Sequence, residues 1–382
     1  MKTIAQTKLG ILGGGQLGRM LIQEALNLNI HVAVLDPDVD APCKNICNTF
    51  IQGSINDFET VYNFGKNLDL ITIEIEKVNI EALEQLEKEG VKVYPQPSVI
   101  KLIQDKGLQK QFFKQNNIPT ADFELIHSTE EILATNFEFP IIQKLRKDGY
   151  DGKGVVKLIS PHNLENAFTQ PSLIEKCIDF EKEVAVIVSR NQKGEIATFP
   201  MVEMDFNPEA NLVEFLISPS QYPEALQQQA QQIATNIIIK LDMVGLLAVE
   251  MFLTKDGELL VNEIAPRPHN SGHHTIEGNY TSQFAQHLRA IFNLPFGDTK
   301  TKAHAVMINL LGEQGFQGLA EYQGLDKILP LSGVYIHLYG KLLTKPFRKM
   351  GHVTIIDDNR EAAITKANFV KQTLKVIAIK SE

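Results

Sequence analysis

Apolar positions in the first hundred residues follow two alternating rhythms. Residues 9–12 form a short apolar run that ends in Gly13-Gly14-Gly15-Gln16-Leu17-Gly18. It leads into 19–28, where Met20, Leu21, Ala25 and Leu28 recur at helical spacing. Residues 32–35, 68–76 and 91–94 read as further strands, and strand–helix–strand order with short connections implies a parallel sheet covered by helices. Pro95 and Pro97 punctuate the end of this unit. Beyond Ser98 the rhythm changes. Helical segments lead to Ile118-Pro119-Thr120, then strands are expected at 140–145, 154–159, 172–178, 183–189 and 196–202, with Asn191-Gln192-Lys193-Gly194 as a hairpin turn. Residues 221–241 read as a long helix, and 246–253 with 258–264 as a hairpin. Strands at 305–310, 333–338 and 351–356 and a helix over 360–373 complete the chain. The expected architecture is multidomain, α/β followed by α+β: a Rossmann-like unit at 1–98, a larger body at 99–296, and a small β-rich C-terminal unit at 297–382.

A length of 382 residues fits this division, being too long for one ordinary core. No apolar run approaches the roughly 20 residues of a membrane helix, and the start, Met1-Lys2-Thr3-Ile4-Ala5-Gln6, lacks a signal peptide's apolar segment. A cytoplasmic protein is expected. Three cysteines, Cys43, Cys47 and Cys177, neither form a disulfide framework nor space themselves for zinc. A net charge of −9 argues against a protein that coats nucleic acid but leaves room for a small basic pocket.

The candidate chemistry centres on Glu250 and Glu263. If Asp256-Gly257 is a two-residue turn, Lys255 faces Glu258, Leu253 faces Leu260, and Glu250 faces Glu263. Carboxylates so opposed repel unless a cation lies between them, and a divalent ion that also binds substrate phosphates reverses the sign. The alternative is a hairpin face of solvated glutamates, which the apolar neighbours Leu247, Val249, Phe252, Val261 and Ile264 disfavour. A second feature, Gly149-Tyr150-Asp151-Gly152-Lys153-Gly154, can turn backbone amides toward phosphates and close over a nucleotide, with Lys144 at the end of the preceding strand. It is not a Walker sequence, and alone it could equally be a surface hairpin. Third, the proline-bounded loop Ala265-Pro266-Arg267-Pro268-His269-Asn270-Ser271-Gly272-His273-His274 places Arg267 where a small oxyanion could bind. The His269/His273 spacing pairs ligands only on a helix, so zinc is not expected.

The turn at 13–18, with Asp36 ending the next strand, reads formally as a dinucleotide fingerprint, although such a turn binds any phosphate. A nicotinamide-dependent dehydrogenase on that turn would leave the acidic hairpin and the 149–154 loop unexplained. A non-enzymatic nucleotide-binding module would have no need of Arg267. Glu74 and Glu76 lie at the ligand-binding end of the sheet. Tyr339-Gly340-Lys341 and Pro346-Phe347-Arg348-Lys349-Met350-Gly351-His352 form a basic cluster that, taken alone, reads as a solvated face.

Assembled in order, these segments resemble the 5-(carboxyamino)imidazole ribonucleotide synthase family of ATP-grasp enzymes in purine biosynthesis. The likeness rests on Gly-Gly-Gly-Gln-Leu-Gly-Arg-Met at 13–20, Val-Leu-Asp-Pro-Asp at 34–38, Gly-Tyr-Asp-Gly-Lys-Gly at 149–154, Asn-Glu-Ile-Ala-Pro-Arg-Pro-His-Asn-Ser-Gly-His at 262–273 and Arg-Lys-Met-Gly-His at 348–352. It implies a pre-ATP-grasp domain, an ATP-grasp domain and a small C-terminal domain, and a homodimer. The implied reaction takes ATP, bicarbonate and 5-aminoimidazole ribonucleotide to the N-carboxylated product, ADP and phosphate. By the same likeness Lys106 and Lys144 contact ATP phosphates, and Gly149, Tyr150, Asp151, Gly152, Lys153, Gly154 and Val155 form the closing loop. Glu175, Lys176, Cys177 and Ile178 line adenine, and Glu183 meets ribose. Glu250 and Glu263 hold Mg²⁺ with Asn262 alongside, and Arg267 and His269 address bicarbonate. Asp151, Lys341, Arg348, Glu76 and the turn at Gly15, Gln16 and Leu17 meet the ribonucleotide. The family often has Arg in place of Lys106 and Gln in place of Val155. Met204-Asp205-Phe206 removes a histidine that relatives use, and Ala265 stands where many ATP-grasp enzymes have Asn. The nearest alternative is an ATP-grasp enzyme with another acceptor, such as a formate-dependent glycinamide ribonucleotide transformylase.

Overall fold

The structure is a computed structural model that describes residues 4–147, 149, 154–207 and 212–379. In the first hundred residues β1 (Lys8–Leu12), α1 (Gln16–Asn27), β2 (His31–Asp36), β3 (Thr49–Gln52), α2 (Phe58–Gly65), β4 (Leu70–Ile73), α3 (Ile80–Lys88) and β5 (Lys92–Val93) follow one another. The strands pair in parallel in the order β3-β2-β1-β4-β5. β4 is buried along its whole length, as strands covered on both faces must be. α1 shows why its spacing mattered: Leu17, Met20, Leu21, Ile22 and Ala25 are all buried. The sheet contains one strand that the apolar rhythm did not announce, β3, an edge strand that is mostly exposed and so carries neither pattern. β4 ends at Ile73, so Glu74 and Glu76 lie beyond the ladder at the ligand-binding end of the sheet.

The body begins with α4 (Pro97–Ile103) and α5 (Lys106–Gln115), followed by β6 (Phe123–Ile126), β7 (Ile141–Leu145), β8 (Val155–Leu158) and β9 (Ser172–Lys176). These strands form an antiparallel sheet in the order β6-β9-β7-β8. Next come β10 (Phe180–Arg190), β11 (Ile196–Thr198), β12 (Val202–Asn207), β13 (Leu212–Ser218), α6 (Glu224–Lys240), β14 (Gly245–Thr254), β15 (Leu259–Ala265), α7 (Thr275–Gly278) and α8 (Gln283–Ile291). The single strand expected over 196–202 is divided. Pro200 has no amide for the ladder, and Phe199 and Met201 turn into the core.

The chain ends with β16 (His304–Leu311), β17 (Gly318–Gln323), α9 (Leu325–Ile328), β18 (Val334–Leu338), β19 (Leu343–Thr344), β20 (Lys349–Asp357), α10 (Arg360–Thr373) and β21 (Lys375–Ala378). Among the described residues the large sheet runs β15-β14-β10-β12-β13-β16-β20-β18, with β11 also on β10. Strands after residue 297 therefore continue the sheet that carries Glu250 and Glu263. α6 buries Ala230, Ala234, Ile237 and Ile238 under this sheet, and α10 buries Ala363, Ala367 and Val370. No helix among the described residues is long and apolar enough to cross a membrane.

Candidate active site

Glu250 on β14 pairs in register with Glu263 on β15. The route to that pairing differs from the two-residue turn read from Asp256-Gly257. Thr254 N donates to Glu258 O at 2.9 Å and Gly257 N to Thr254 O at 3.0 Å, with Gly257 at φ 83°, so three residues make the turn. Leu253 therefore faces Leu259 and Phe252 faces Leu260, one residue out of the expected register. A bulge between Met251 and Glu250 restores it, with Asn262 as the extra residue. The bulge has a use here, because it lets Asn262 and Glu263, adjacent in sequence, both address the cleft.

The two carboxylates differ. Burial and the nearby negative charges of Glu263 and Glu183 push the Glu250 carboxyl up, whereas the Lys106 ammonium holds Glu263 down. Lys106 forms an ion pair with Glu263. It starts α5, whose N-cap Asp105 accepts from Gly107 N at 2.8 Å and Leu108 N at 3.2 Å. Arg146 clamps the same carboxylate through Nε at 2.9 Å and Nη2 at 2.7 Å, and its carbonyl receives Lys106 N at 2.8 Å. Glycine at 107 leaves room for this clamp, since a Cβ there would lie 2.8 Å from Arg146 Nε. Glu183, half-buried on β10, is raised to about 7 by burial and by Glu263.

Opposite this acidic group, Lys144 on β7 donates to Asn262 Oδ1 at 2.8 Å and lies 2.6 Å from Glu175 Oε2. Glu175 was expected among the residues lining adenine. Its side chain instead turns inward, with Oε1 2.5 Å from Lys110 Nζ. Lys176, Cys177 and Ile178 follow at the end of β9. Lys110 escaped the sequence reading, although it stands four residues after Lys106 on the same helix, the spacing that puts two side chains on one face.

Arg267 and Glu76 come together. Arg267 Nε lies 2.9 Å from Glu76 Oε1 and Nη2 donates to Oε2 at 3.1 Å, so the loop after β15 is joined to the end of the first sheet. His269 Nδ1 is 3.5 Å from Glu250 Oε1 and 2.9 Å from Ser271 Oγ. Gln283 fixes the loop by donating to His269 O at 2.7 Å and accepting from His269 N at 2.8 Å.

The glycine-rich turn is not an open anion cradle. Gly14 N donates to Asp36 Oδ2 at 2.6 Å, Gly15 N donates to Glu74, and Leu17 N reaches Glu74 Oε1 at 3.3 Å. The amides expected to meet phosphate are thus held by the chain's own carboxylates, and a side chain on Gly15 would collide with Glu74. Gln16 opens α1 beside them. The C-terminal basic cluster sits close by, since Gly340 lies next to Arg19 of α1. Lys341 donates to Lys349 O at 2.8 Å, and Arg348 Nη1 donates to Leu343 O at 2.6 Å. Lys349, unremarked in the sequence beyond its place in that cluster, is near enough to influence Glu250. Gly149, Gly154 (φ 78°) and Val155 are described at the loop's margins, while Tyr150, Asp151, Gly152 and Lys153 lie outside the described residues.

A cleft between two sheets, with lysines on one side and glutamates on the other, behind a parallel α/β unit, defines an ATP-grasp protein. The ATP-grasp domain family matches residues 111–284, the ribonucleotide synthetase preATP-grasp domain 6–104, and the phosphoribosylaminoimidazole carboxylase C-terminal domain 305–366. An N5-carboxyaminoimidazole ribonucleotide synthase of Synechococcus elongatus is 38% identical over 91% of this chain and 89% of its own. The crystal structure of the Thermotoga maritima synthetase of that name is 43% identical, with a TM-score of 0.91 over 98% of this chain and 100% of that one. That of Aspergillus clavatus, in complex with ADP and 5-aminoimidazole ribonucleotide, is 33% identical with a TM-score of 0.89, covering 97% and 99%. The chain belongs to the N5-carboxyaminoimidazole ribonucleotide synthase family. It spans 64% of the length of a chloroplastic phosphoribosylaminoimidazole carboxylase of Vigna aconitifolia, to which it is 38% identical over 91% of its own length.

Proposed function

We propose that the chain carboxylates the exocyclic amine of 5-aminoimidazole ribonucleotide, using ATP and bicarbonate, in purine biosynthesis. The observation that carries this reading is the in-register pairing of Glu250 with Glu263 across the cleft from Lys144, with Lys106 between the two. The residues present fit Mg²⁺: Glu250 and Glu263 face one another in register, the Glu250 carboxyl is pushed up by burial and by the charges of Glu263 and Glu183, and Mg²⁺ commonly takes one or two carboxylates together with substrate phosphates. Glu250 and Glu263 would hold it with Asn262 alongside, and when bound it would neutralise carboxylate and triphosphate charge together.

The remaining roles fall to side chains and to one stretch of main chain. Lys106 and Lys144 meet the phosphates, the main chain of 175–178 lines adenine, and Glu183 meets ribose. Residues 149–155 close over the nucleotide and keep water from a hydrolysable intermediate. Bicarbonate oxygen attacks the terminal phosphorus, ADP leaves, and the resulting carboxyphosphate gives up its carboxyl group to the amine with release of phosphate. Arg267 and His269 orient the bicarbonate. Glu76, Asp151 and the turn at 15–17 hold the ribonucleotide, with Lys341 and Arg348 at its phosphate. The Arg267–Glu76 pair supports this division, because it sets the two co-substrate pockets side by side. Catalysis is then positioning and charge neutralisation. A cytoplasmic homodimer is part of the reading.

The test is ADP release with each co-substrate omitted in turn. Release should require both bicarbonate and the aminoimidazole ribonucleotide. Formate and glycinamide ribonucleotide supporting it instead would move the assignment to the transformylase alternative.

A further inference from the structure

Glu175 is 3% exposed, Lys110 3% and Lys144 8%, so a carboxylate and two ammonium groups are buried together. The fold builds the group on purpose-suited geometry. Ile142 pairs with Glu175 and Lys144 with Leu173 on β7 and β9, so Lys144 and Glu175 are diagonal neighbours on one sheet face. Lys110 arrives from α5, one oxygen of Glu175 facing each lysine at 2.5 and 2.6 Å. Lys110 also donates to Thr120 Oγ1 at 2.5 Å, and that hydroxyl donates to Val261 O at 2.6 Å, tying the group to β15 next to Asn262. Lys106, Lys110, Lys144, Glu175 and Asn262 line one narrow cleft.

The charge count decides what this does. A lone Lys144–Glu175 pair would be neutral, and Lys144 would meet a phosphate with its charge already cancelled. With Lys110 on the second oxygen the group carries one net positive charge. An ammonium has three donors, and Glu175 and Asn262 use two of those on Lys144. Resting on the nucleotide reading above, we propose that Lys110 is a positioning residue that shares Glu175 with Lys144 and thereby leaves Lys144 a net positive charge to offer the triphosphate. Burial depresses the Lys110 ammonium to about 8 against the opposing pull of Glu175, and the nearby charges of Lys144 and Lys106 add to the fall. A prop that merely filled space beneath β9 would not need a charge, and a buried charge without function is costly.

The experiment compares adenosine, ADP and ATP binding at fixed magnesium by calorimetry in the full chain. Lys110→Met should weaken ATP roughly 10- to 100-fold, the scale of one unit charge a few ångströms behind a phosphate, while adenosine changes less than about 3-fold on the same scale. Lys110→Arg should retain most ATP affinity. The decisive variant is Lys110→Met with Glu175→Gln, which restores one net charge and should recover ATP binding; it also serves if the single variant does not fold. Equal loss for all three ligands, no loss for ATP, or a double variant as weak as the single one would overturn the inference. Wild-type chain that binds adenosine but not ATP would instead overturn the nucleotide reading, and this inference with it.

Discussion

The two walls of the cleft are mirror images in charge. On one, Lys110 and Lys144 share Glu175, and the ammonium of Lys110 is pushed down first by burial and then by the positive charges of Lys144 and Lys106. On the other, Glu183, Glu250 and Glu263 crowd together, and Glu183 and Glu250 are pushed up first by burial and then by the negative charge of Glu263, with Glu183 adding to the rise of Glu250. The Lys106–Glu263 ion pair and the Lys144–Asn262 hydrogen bond cross between them. A few ångströms away the chain shows that it can build a balanced ion pair: Asp105 and Arg146 meet in two hydrogen bonds of 2.9 and 2.7 Å and cap a helix. The imbalance is therefore local to the cleft. Each wall lacks what a magnesium–triphosphate carries, anion for the lysines and cation for the glutamates, and a site so arranged is less stable empty than filled.

Breaking the acidic wall should have the largest effect. Glu263→Gln removes both the partner of Lys106 and half of the facing carboxylate pair, and kcat for ADP release should fall by about 10³ or more, the upper range for loss of a preorganised electrostatic contact. Full turnover by this variant would remove the acidic wall from the mechanism. Breaking the basic wall at Lys144→Met comes next, because Lys106 and Lys110 remain: kcat/KM for ATP should fall by about 10², with KM for the ribonucleotide little changed. Steady-state kinetics with each substrate varied separates the two cases, and equal rises in both KM values would argue against a wall dedicated to the nucleotide.

Much of this contrast could be read in the sequence, and the parts that could not have physical reasons. Glu250 and Glu263 were paired correctly, but through a turn one residue too short and without the bulge at Asn262; the two departures cancel. A bulge has no side-chain pattern of its own, so only the ladder reveals it. The acidic wall was legible because two glutamates among apolar neighbours break the rhythm of a buried strand. The basic wall was half legible. Lys144 ended a strand before a glycine-rich loop, but Lys110 sits in a polar helix, Lys106-Gly107-Leu108-Gln109-Lys110, where a buried lysine looks like an exposed one. The glycine turn was legible only in part. Its spacing suits a phosphate, yet Glu74 and Asp36, brought in by strand ends 59 and 22 residues away, hold its amides. Long-range partners of that kind leave no local trace.

The smallest effect, and the one that sharpens the comparison most, belongs to Glu183. It is a third carboxylate on the acidic wall, with a folded pKa of about 7 against an ordinary value of 4.5. The unfolded chain therefore releases this proton well before the folded chain does. Stability contributed by the protonated form is complete below about pH 4.5 and declines as pH rises, until Glu183 is ionised in the fold above about 7. Gln cannot ionise, so Glu183→Gln should match the wild type near pH 4.5 and then gain on it up to pH 7, ending higher in Tm by about 1 °C for each kcal/mol relieved in a chain of this length. Adding magnesium and ATP at pH 8 should shrink or reverse the gap, since the ionised wall is what the ligand rewards. Thermal melts across pH, with and without ligand, read both signs. A gap that ignores pH would mean that Glu183 is solvated and no part of the crowded wall; a gap that persists unchanged with ligand would mean that its charge does not face the nucleotide.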